Sequence, residues 1–414
     1  MESAVTVGLI LPELARSVAE EHLEELQKLI ETAGGTVVAR VFGKRNAPDP
    51  ATYVGSGKAE EIKRAAEELK AGLVVFDDDL SPAQVRNLEK IIPAKVIDRS
   101  ALILDIFAGR ARSRESRTQV ELAQLEYLLP RLTRQWSHLS RQAGGIGTRG
   151  VGETQLEIDR RIIRHRISRL KEDLVRIERT RETQRKGRQT AFTVALVGYT
   201  NAGKSTLFNR LTKGGAAAAD QLFATLDAKL QRAAFEMPRE TVIIDTVGFI
   251  RKLPHHLVAS FRSTMEEAVS ADLVLHIVDL SHPQSEDQRD VGDEVLRALG
   301  IPPERVIEVY NKCDAAGDHT SLAPVRRNAV TISALTGHNL EALIEMIRRR
   351  ELDGGELMQL AIPHRESRVL ARLHEIAQVY EQSAGDESVV LSAWIPKDSR
   401  HLFEAYAVTT ARAS

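Results

Sequence analysis

The chain has 414 residues, more than one hydrophobic core usually serves, so roughly two to four domains are expected. Apolar residues at 43% and charged residues at 28% describe an ordinary globular protein, and the single cysteine, Cys313, excludes an intramolecular disulfide framework and any multi-cysteine zinc site. The net charge of −1 conceals an asymmetry: Arg110 to Arg188 carries 20 Lys and Arg against 10 Asp and Glu, a local +10 that leaves −11 elsewhere. A basic segment in an acidic chain is an electrostatic footprint for nucleic acid, although a solvated helix face produces the same pattern.

The first hundred residues alternate short β-branched runs with helical patterns. Ala4 to Leu11, Gly35 to Phe42, Leu73 to Phe76 and Lys95 to Ile97 read as strands, with helices near Glu13 to Ala33, Lys58 to Lys70 and Pro82 to Ile92. This order predicts a small parallel α/β domain over residues 1–108. Gly55 to Lys58 spells GSGK, but it lacks the phosphate-loop spacing and a preceding apolar strand, so a turn and helix start is the better reading.

Residues 109–189 have a different texture. Ile158, Ile162, Ile163, Ile167, Leu170, Leu174 and Ile177 recur at three- and four-residue steps, one apolar stripe on a basic helix running from near Thr154 to near Lys186. Such a helix spans on the order of 50 Å. Val120, Ala123, Tyr127, Leu128, Leu132 and Trp136 form a comparable stripe upstream, and the two helices are expected to pair as an antiparallel hairpin. Between them Ala143 to Thr154 holds five glycines in twelve residues. By composition alone a flexible linker is the favoured reading of that loop. Trp136, His138 and Tyr127 have rings able to stack on bases, with core packing the expected fate of Tyr127. From Phe192 apolar strands again alternate with helices, a longer doubly wound pattern over 190–352, and residues 353–414 read as a small α+β appendage. Met1 to Pro12 lacks the features of a signal peptide, and no apolar run, even Leu273 to Val278, can span a bilayer, so a cytoplasmic location is expected. Nothing in the pattern demands more than a monomer.

Within the doubly wound segment lie the residues that carry chemistry. Phe192 to Leu211 sets an apolar strand, then Gly198, Tyr199, Thr200, Asn201, Ala202, Gly203, Lys204, Ser205 and Thr206, then a helix. Strand, GxxxxGKS and helix form the context in which backbone N–H groups wrap the β- and γ-phosphates of a nucleotide. Lys204 is placed to contact phosphate oxygens, Ser205 to ligate Mg²⁺, and Gly203 to let the backbone approach. A second apolar run ends in Asp245, Thr246, Val247 and Gly248, where the carboxylate can hold the water shell of the magnesium ion and the glycine N–H can sense the γ-phosphate. Asn311, Lys312, Cys313 and Asp314 follow a third strand. One carboxylate, Asp314, can accept both N1–H and the N2 amino group of guanine, which adenine cannot offer; Asn311 would tie this loop to the phosphate loop, Lys312 would cover the base, and Cys313 is filler. Ser333, Ala334 and Leu335 would support guanine O6 through main-chain N–H, chiefly that of Ala334. Phe223, Ala224 and Thr225 lie on a small-residue-rich connection, Thr225 being the candidate to complete the Mg²⁺ shell. Lys204, Thr225, Gly248 and Asn201 are the catalytic candidates. After Gly248, where Ras-like enzymes place a water-orienting glutamine, stands Phe249, so slow intrinsic hydrolysis is expected. Asn201 resembles the monovalent-cation ligand of potassium-stimulated GTPases, making K⁺ a candidate cofactor beside Mg²⁺.

The expected fold is α/β: a P-loop GTPase domain with a doubly wound, mostly parallel sheet, preceded by a small α/β domain and a long helical hairpin, and followed by a small α+β domain. The chain resembles the HflX subfamily of translation-associated GTPases over nearly its whole length. The resemblance rests on YVGSGKAEEI (Tyr53 to Ile62), on SRTQVELAQLEYLLPRL and GGIGTRGVGETQLEIDRR (Ser116 to Arg161), on DQLFATLD and on DTVGFIRKLPHHLVASF (Asp245 to Phe261). It implies binding to the large ribosomal subunit and its rRNA, hydrolysis of GTP to GDP stimulated by that subunit, and dissociation of stalled or idle ribosomes under stress. It also implies insertion of the glycine-rich tip near the peptidyl-transferase centre, with Arg141, Gly144, Gly145, Gly147, Arg149, Gly150 and Gly152 as RNA-contact candidates. Two other readings stay open at this stage: a GTPase module that drives RNA modification or ribosome assembly through a partner, and a nucleotide-binding scaffold with little turnover.

Overall fold

The computed structural model describes residues 2–132, 155–186, 191–212, 222–223, 225–237, 239–252, 265–317, 328–385 and 387–408. These fall into two compact units. One comprises residues 1–178, 219–227 and 250–263; the other comprises 179–218, 228–249 and 264–414.

The first unit is built on β1 (Ser3–Ile10), α1 (Arg16–Thr32), β2 (Thr36–Lys44), α2 (Ser56–Glu68), β3 (Leu73–Phe76), α3 (Pro82–Ile91) and β4 (Lys95–Asp98). Its strands pair in parallel in the order β2-β1-β3-β4, so the winding direction reverses between β1 and β3. Helices cover both faces of such a sheet, which is why β3 is apolar and buried at every position rather than alternating. Val5, Val7, Ile62, Val74, Phe76 and Leu88 form the centre of its core. Local signals explain the helix starts. Ser81 caps α3 in a capping box with Gln84, and Pro82 stands in its first turn. Gly55 precedes α2 at φ +87°, so GSGK is a turn and helix start.

Two further helices, α4 (Arg99–Arg110) and α5 (Arg114–Leu128), continue this unit. The apolar stripe of α5 predicted helix through Trp136. The helix stops at Leu128 and passes into a 3-10 turn, Leu129–Arg131, because Pro130 cannot supply the N–H that another α-turn needs. Tyr127 is half-buried: its hydroxyl donates to Asp98 and the Arg131 guanidinium lies 3.5 Å over its ring. The second arm of the hairpin is α6 (Gln155–Lys186). On its predicted stripe Leu170 is buried, Ile158, Ile163, Ile167, Leu174 and Ile177 are half-buried, and Ile162 is exposed. Ion pairs Arg166–Glu121 and Lys171–Glu126 link it to α5. The glycine-rich tip, with Trp136 and His138, lies outside the described residues.

The second unit contains β5 (Phe192–Gly198), α7 (Lys204–Leu211), β6 (Lys229–Arg232), β7 (Thr241–Asp245), β8 (Leu273–Asp279), α8 (Ser285–Ala298), β9 (Val306–Asn311), β10 (Ala329–Thr331) and α9 (Leu340–Asp353). Its sheet runs β10-β9-β8-β5-β7-β6, parallel except for the edge strand β6. Beyond α9 come β11 (Gly355–Pro363), α10 (Ser367–Ile376), β12 (Gln378–Ala384) and β13 (Ser388–Pro396), an antiparallel sheet β11-β13-β12 closed on one face by α10. Arg239 joins this appendage to the large sheet. Its guanidinium lies 3.7 Å over the Trp394 ring and pairs with the fully buried carboxylate of Glu351. Among the described residues no helix is long and apolar enough to cross a membrane.

Candidate functional site

The loop from Gly198 to Ser205 leaves β5 at the carboxyl edge of the large sheet and enters α7. Three residues in it have positive φ, Gly198 at +145°, Asn201 at +61° and Gly203 at +95°. A Cβ on Gly203 would stand 2.2 Å from Asn311 Nδ2, so only glycine fits where the loop beginning at Asn311 crosses the Gly198–Ser205 loop. Asn311 knits three loops together. Its amide donates to the Ala202 carbonyl at 2.9 Å and its Oδ1 accepts from the Ala334 N–H at 2.9 Å. The expectation that Asn311 ties its loop to the phosphate loop is thus met in hydrogen bonds, and Ser333 supports the third loop by accepting from the Thr336 N–H.

The Lys204 ammonium is buried and donates to the carbonyls of Gly198 and Tyr199, at 3.0 and 2.7 Å. Burial lowers its pKa to about 8, opposed by the Asp245 carboxylate and reinforced by Lys312. Nucleotide phosphates favour the charged amine, so binding above this pKa must take up a proton. Nucleotide affinity is therefore expected to be level below about pH 8 and to weaken above it, by up to about tenfold per pH unit. Titration of GDP affinity checks this, with Lys204→Arg, always charged, as the variant whose profile should stay flat; a level profile in the parent chain would contradict it.

Ser205 Oγ donates to Asp245 Oδ2 at 2.8 Å, and Asp245 is fully buried. Among the described residues no cluster of three or more His, Cys, Asp or Glu is placed to hold a metal. A lone hydroxyl and carboxylate of this kind suit Mg²⁺, which takes oxygen ligands and keeps waters and substrate phosphates in its shell. Thr246 is buried and donates to the Leu196 carbonyl, fixing the start of the DTVG turn; Val247 is buried beside it. Phe249 is 3% exposed, and its backbone forms an isolated bridge with Tyr199. The ring after Gly248 is thus packed away and presents no polar atom to a water.

Asp314 is exposed, whereas Lys312, at φ +63°, is anchored by Asp279 at 2.7 Å. Asp279 also accepts from Ser281 N–H and Oγ. It carries the same sequence signal as Asp245, an aspartate ending a buried strand. Arg210 was missed for want of any signal: from α7 its guanidinium donates to the carbonyls of Ala334 and Leu335 more than a hundred positions later. Burial, then Asp314, pushes the Cys313 thiol up, which fits its reading as filler. Thr206 begins α7 directly after Ser205, and Leu335 is exposed.

Of the connection after α7, Phe223, Thr225 and Asp227 are described and belong to the first unit, while Ala224 is outside the described residues. Phe223 sits at φ +54° with its ring edge-on to Phe107, centroids 4.6 Å apart. Thr225 is buried. Asp227, another residue the sequence did not single out, accepts from Ser113 Oγ at 2.5 Å and from the N–H groups of Arg112 and Ser113 at 3.1 Å, so it holds in place the serine that caps α5. Arg141, Gly144, Gly145, Gly147, Arg149, Gly150 and Gly152 all lie outside the described residues.

Comparison with known proteins agrees with this architecture. Family models match in succession: "GTP-binding GTPase N-terminal" over residues 20–108, "GTP-binding GTPase Middle Region" over 110–188 and "50S ribosome-binding GTPase" over 193–312. A solved structure described as SsGBP and GDP complex is 25% identical, with 84% of this chain and 98% of that chain covered and a TM-score of 0.48. GTPase HflX of Magnetococcus marinus is 45% identical over 94% of this chain and 91% of its own length. GTPase HflX of Escherichia coli is 44% identical over 91% and 90%. With a phosphate loop, an Mg²⁺-suited Ser–Asp pair and NKCD assembled at one sheet edge, and with likeness running through both chains, the protein belongs to the GTPase HflX family of GTP-hydrolysing enzymes.

Proposed function

We propose that this GTPase is a molecular switch directed to the large ribosomal subunit, where its GTP form binds, its GDP form leaves, and stalled or idle ribosomes are dissociated under stress. The observation that carries the reading is the presence, in one chain, of the nucleotide site and of a basic segment, residues 110–188, of charge +10. The match of residues 193–312 to a family described as 50S ribosome-binding adds to it. Lys and Arg on such helices neutralise rRNA phosphates, and the glycines between Gly144 and Gly152 permit close backbone approach to RNA.

Lys204 grips the phosphates, Ser205 and Thr225 ligate Mg²⁺, Asp245 acts through its water shell, and the Gly248 N–H senses the γ-phosphate. The left-handed turn at Asn201 supports its reading as a ligand for K⁺ beside the phosphates. Because Phe249 supplies no water-orienting group, hydrolysis is slow alone and rises on the ribosomal subunit. Deleting residues 144–152 is expected to leave nucleotide affinity near that of the parent chain and to abolish stimulation by large subunits. Turnover assays with separated subunits, in potassium and in sodium, check both points; equal stimulation of the deletion variant would remove the loop from the mechanism.

A further inference from the structure

The loop of residues 333–337 has one backbone donor left over. Ser333 N–H donates to the His338 carbonyl, Ala334 N–H to Asn311 Oδ1, Thr336 N–H to Ser333 Oγ and Gly337 N–H to the Ser333 carbonyl. Within this loop only Leu335 N–H has no acceptor among the described residues. Ala334 is the donor the sequence leads one to expect for guanine O6, yet its N–H is already given to Asn311, whose amide in turn holds the Ala202 carbonyl of the phosphate loop. The group free to meet a new acceptor stands one residue further on.

Arg210 aims that group. Its Nε donates to the Ala334 carbonyl at 3.1 Å and its Nη2 to the Leu335 carbonyl. The peptide between Ala334 and Leu335 is trans, so its C=O and N–H point in opposite directions. A guanidinium drawing on the Ala334 carbonyl therefore turns Leu335 N–H to the side of the loop away from Arg210. Because the fork is planar and engages two successive carbonyls, it fixes the tilt of both peptide planes, which a single flexible ammonium would not. Arg210 stands in the last turn of α7, an eight-residue helix that begins with Lys204 and Ser205. A cation there usually complements the helix dipole. This one instead reaches carbonyls 124 and 125 positions later, within the same compact unit. One short rigid helix thus joins the phosphate end of the site to its base end.

We infer that Arg210 is a positioning residue for guanine specificity, holding the peptide between Ala334 and Leu335 so that Leu335 N–H donates to guanine O6. Cys313 N–H donates to the Ile332 carbonyl at 3.2 Å, which keeps this loop beside Asp314. A base whose N1–H meets Asp314 carries O6 on the adjacent ring carbon and presents it to the loop. This role rests on the guanine reading of the site and is independent of the ribosomal one.

The test compares the full chain with Arg210→Met for affinity toward GDP and toward 6-thioguanosine diphosphate, whose sulfur is a weak hydrogen-bond acceptor. Arg210 is exposed, so its replacement should leave the fold intact. Arg210→Met should weaken GDP binding roughly three- to tenfold, the range for loss of a net hydrogen bond, and the thio analogue by no more than about twofold. Turnover at saturating GTP should match the parent chain, with the loss confined to KM. Equal losses for the two nucleotides, or an unchanged GDP affinity, would overturn the role of Arg210. Amide NMR of the unmodified chain needs no variant: replacing the thio analogue with GDP should move the Leu335 N–H resonance downfield more than that of Ala334, and a change centred on Ala334 would equally overturn it. Equal affinity of the unmodified chain for GDP and ADP would instead bring down the guanine reading itself.

Discussion

Asp314→Asn is expected to transfer nucleotide preference from guanine to xanthine, with GTP affinity falling by a factor of roughly 10⁴ and xanthosine triphosphate gaining in its place. The carboxylate accepts two hydrogen bonds from guanine, at N1–H and at the N2 amino group. An asparagine amide turns one acceptor into a donor, which opposes the amino group and suits the carbonyl that xanthine carries there. The scaffold should survive the change. Asp314 is exposed, whereas the loop is held by Asn311 between Ala202 and Ala334 and by Lys312 on Asp279. Competition binding with GTP, ATP and xanthosine triphosphate measures the outcome. Retained guanine preference would show that another group reads the base.

Arg99→Met should destabilise the N-terminal domain by about 3–5 kcal/mol, the range seen when one member of a buried ion pair is removed. The Arg99 guanidinium is 2% exposed and bonds Asp77 at 2.7 Å and Glu25. Without it, two carboxylates of 3% and 9% side-chain exposure lose the guanidinium they share, and Lys252 and Arg251 remain beside them as counter-charges. Denaturant unfolding followed by a probe in this domain gives the number. A loss below about 1 kcal/mol, the ordinary worth of a surface ion pair, would mean the cluster is solvated. The nucleotide site should be intact in the folded variant, because none of its candidate residues touches Arg99 among the contacts described.

The candidate site was legible to a large extent because phosphate, magnesium and guanine each impose a short local pattern. Gly198 to Ser205, Asp245 to Gly248, Asn311 to Asp314 and Ser333 to Leu335 are each contiguous, and strand alternation placed them at a common sheet edge. Arg210 was illegible for the opposite reason. It acts on carbonyls brought near only by the fold, and an arginine on an amphipathic helix reads as a solvated face. The early end of α5 was legible in principle from Pro130, but the apolar stripe continued through it and outweighed the signal. Asp227 looked like a connection residue, and its hold on Ser113, the cap of α5, depends on a partner 114 positions earlier.

The sequence by itself determined the alternation of strands and helices, the order of the nucleotide-reading motifs and the lack of a water-orienting side chain at Phe249, since these depend on residue type and on spacings of a few positions. Only the tertiary structure decided which sheet edge receives Arg251 and Lys252, how Arg99 is compensated, and that Phe223 and Asp227 pack with the N-terminal unit. Those outcomes turn on charges and rings that meet across 22 to 175 residues of chain, where distance and burial, not pattern, set the free energy.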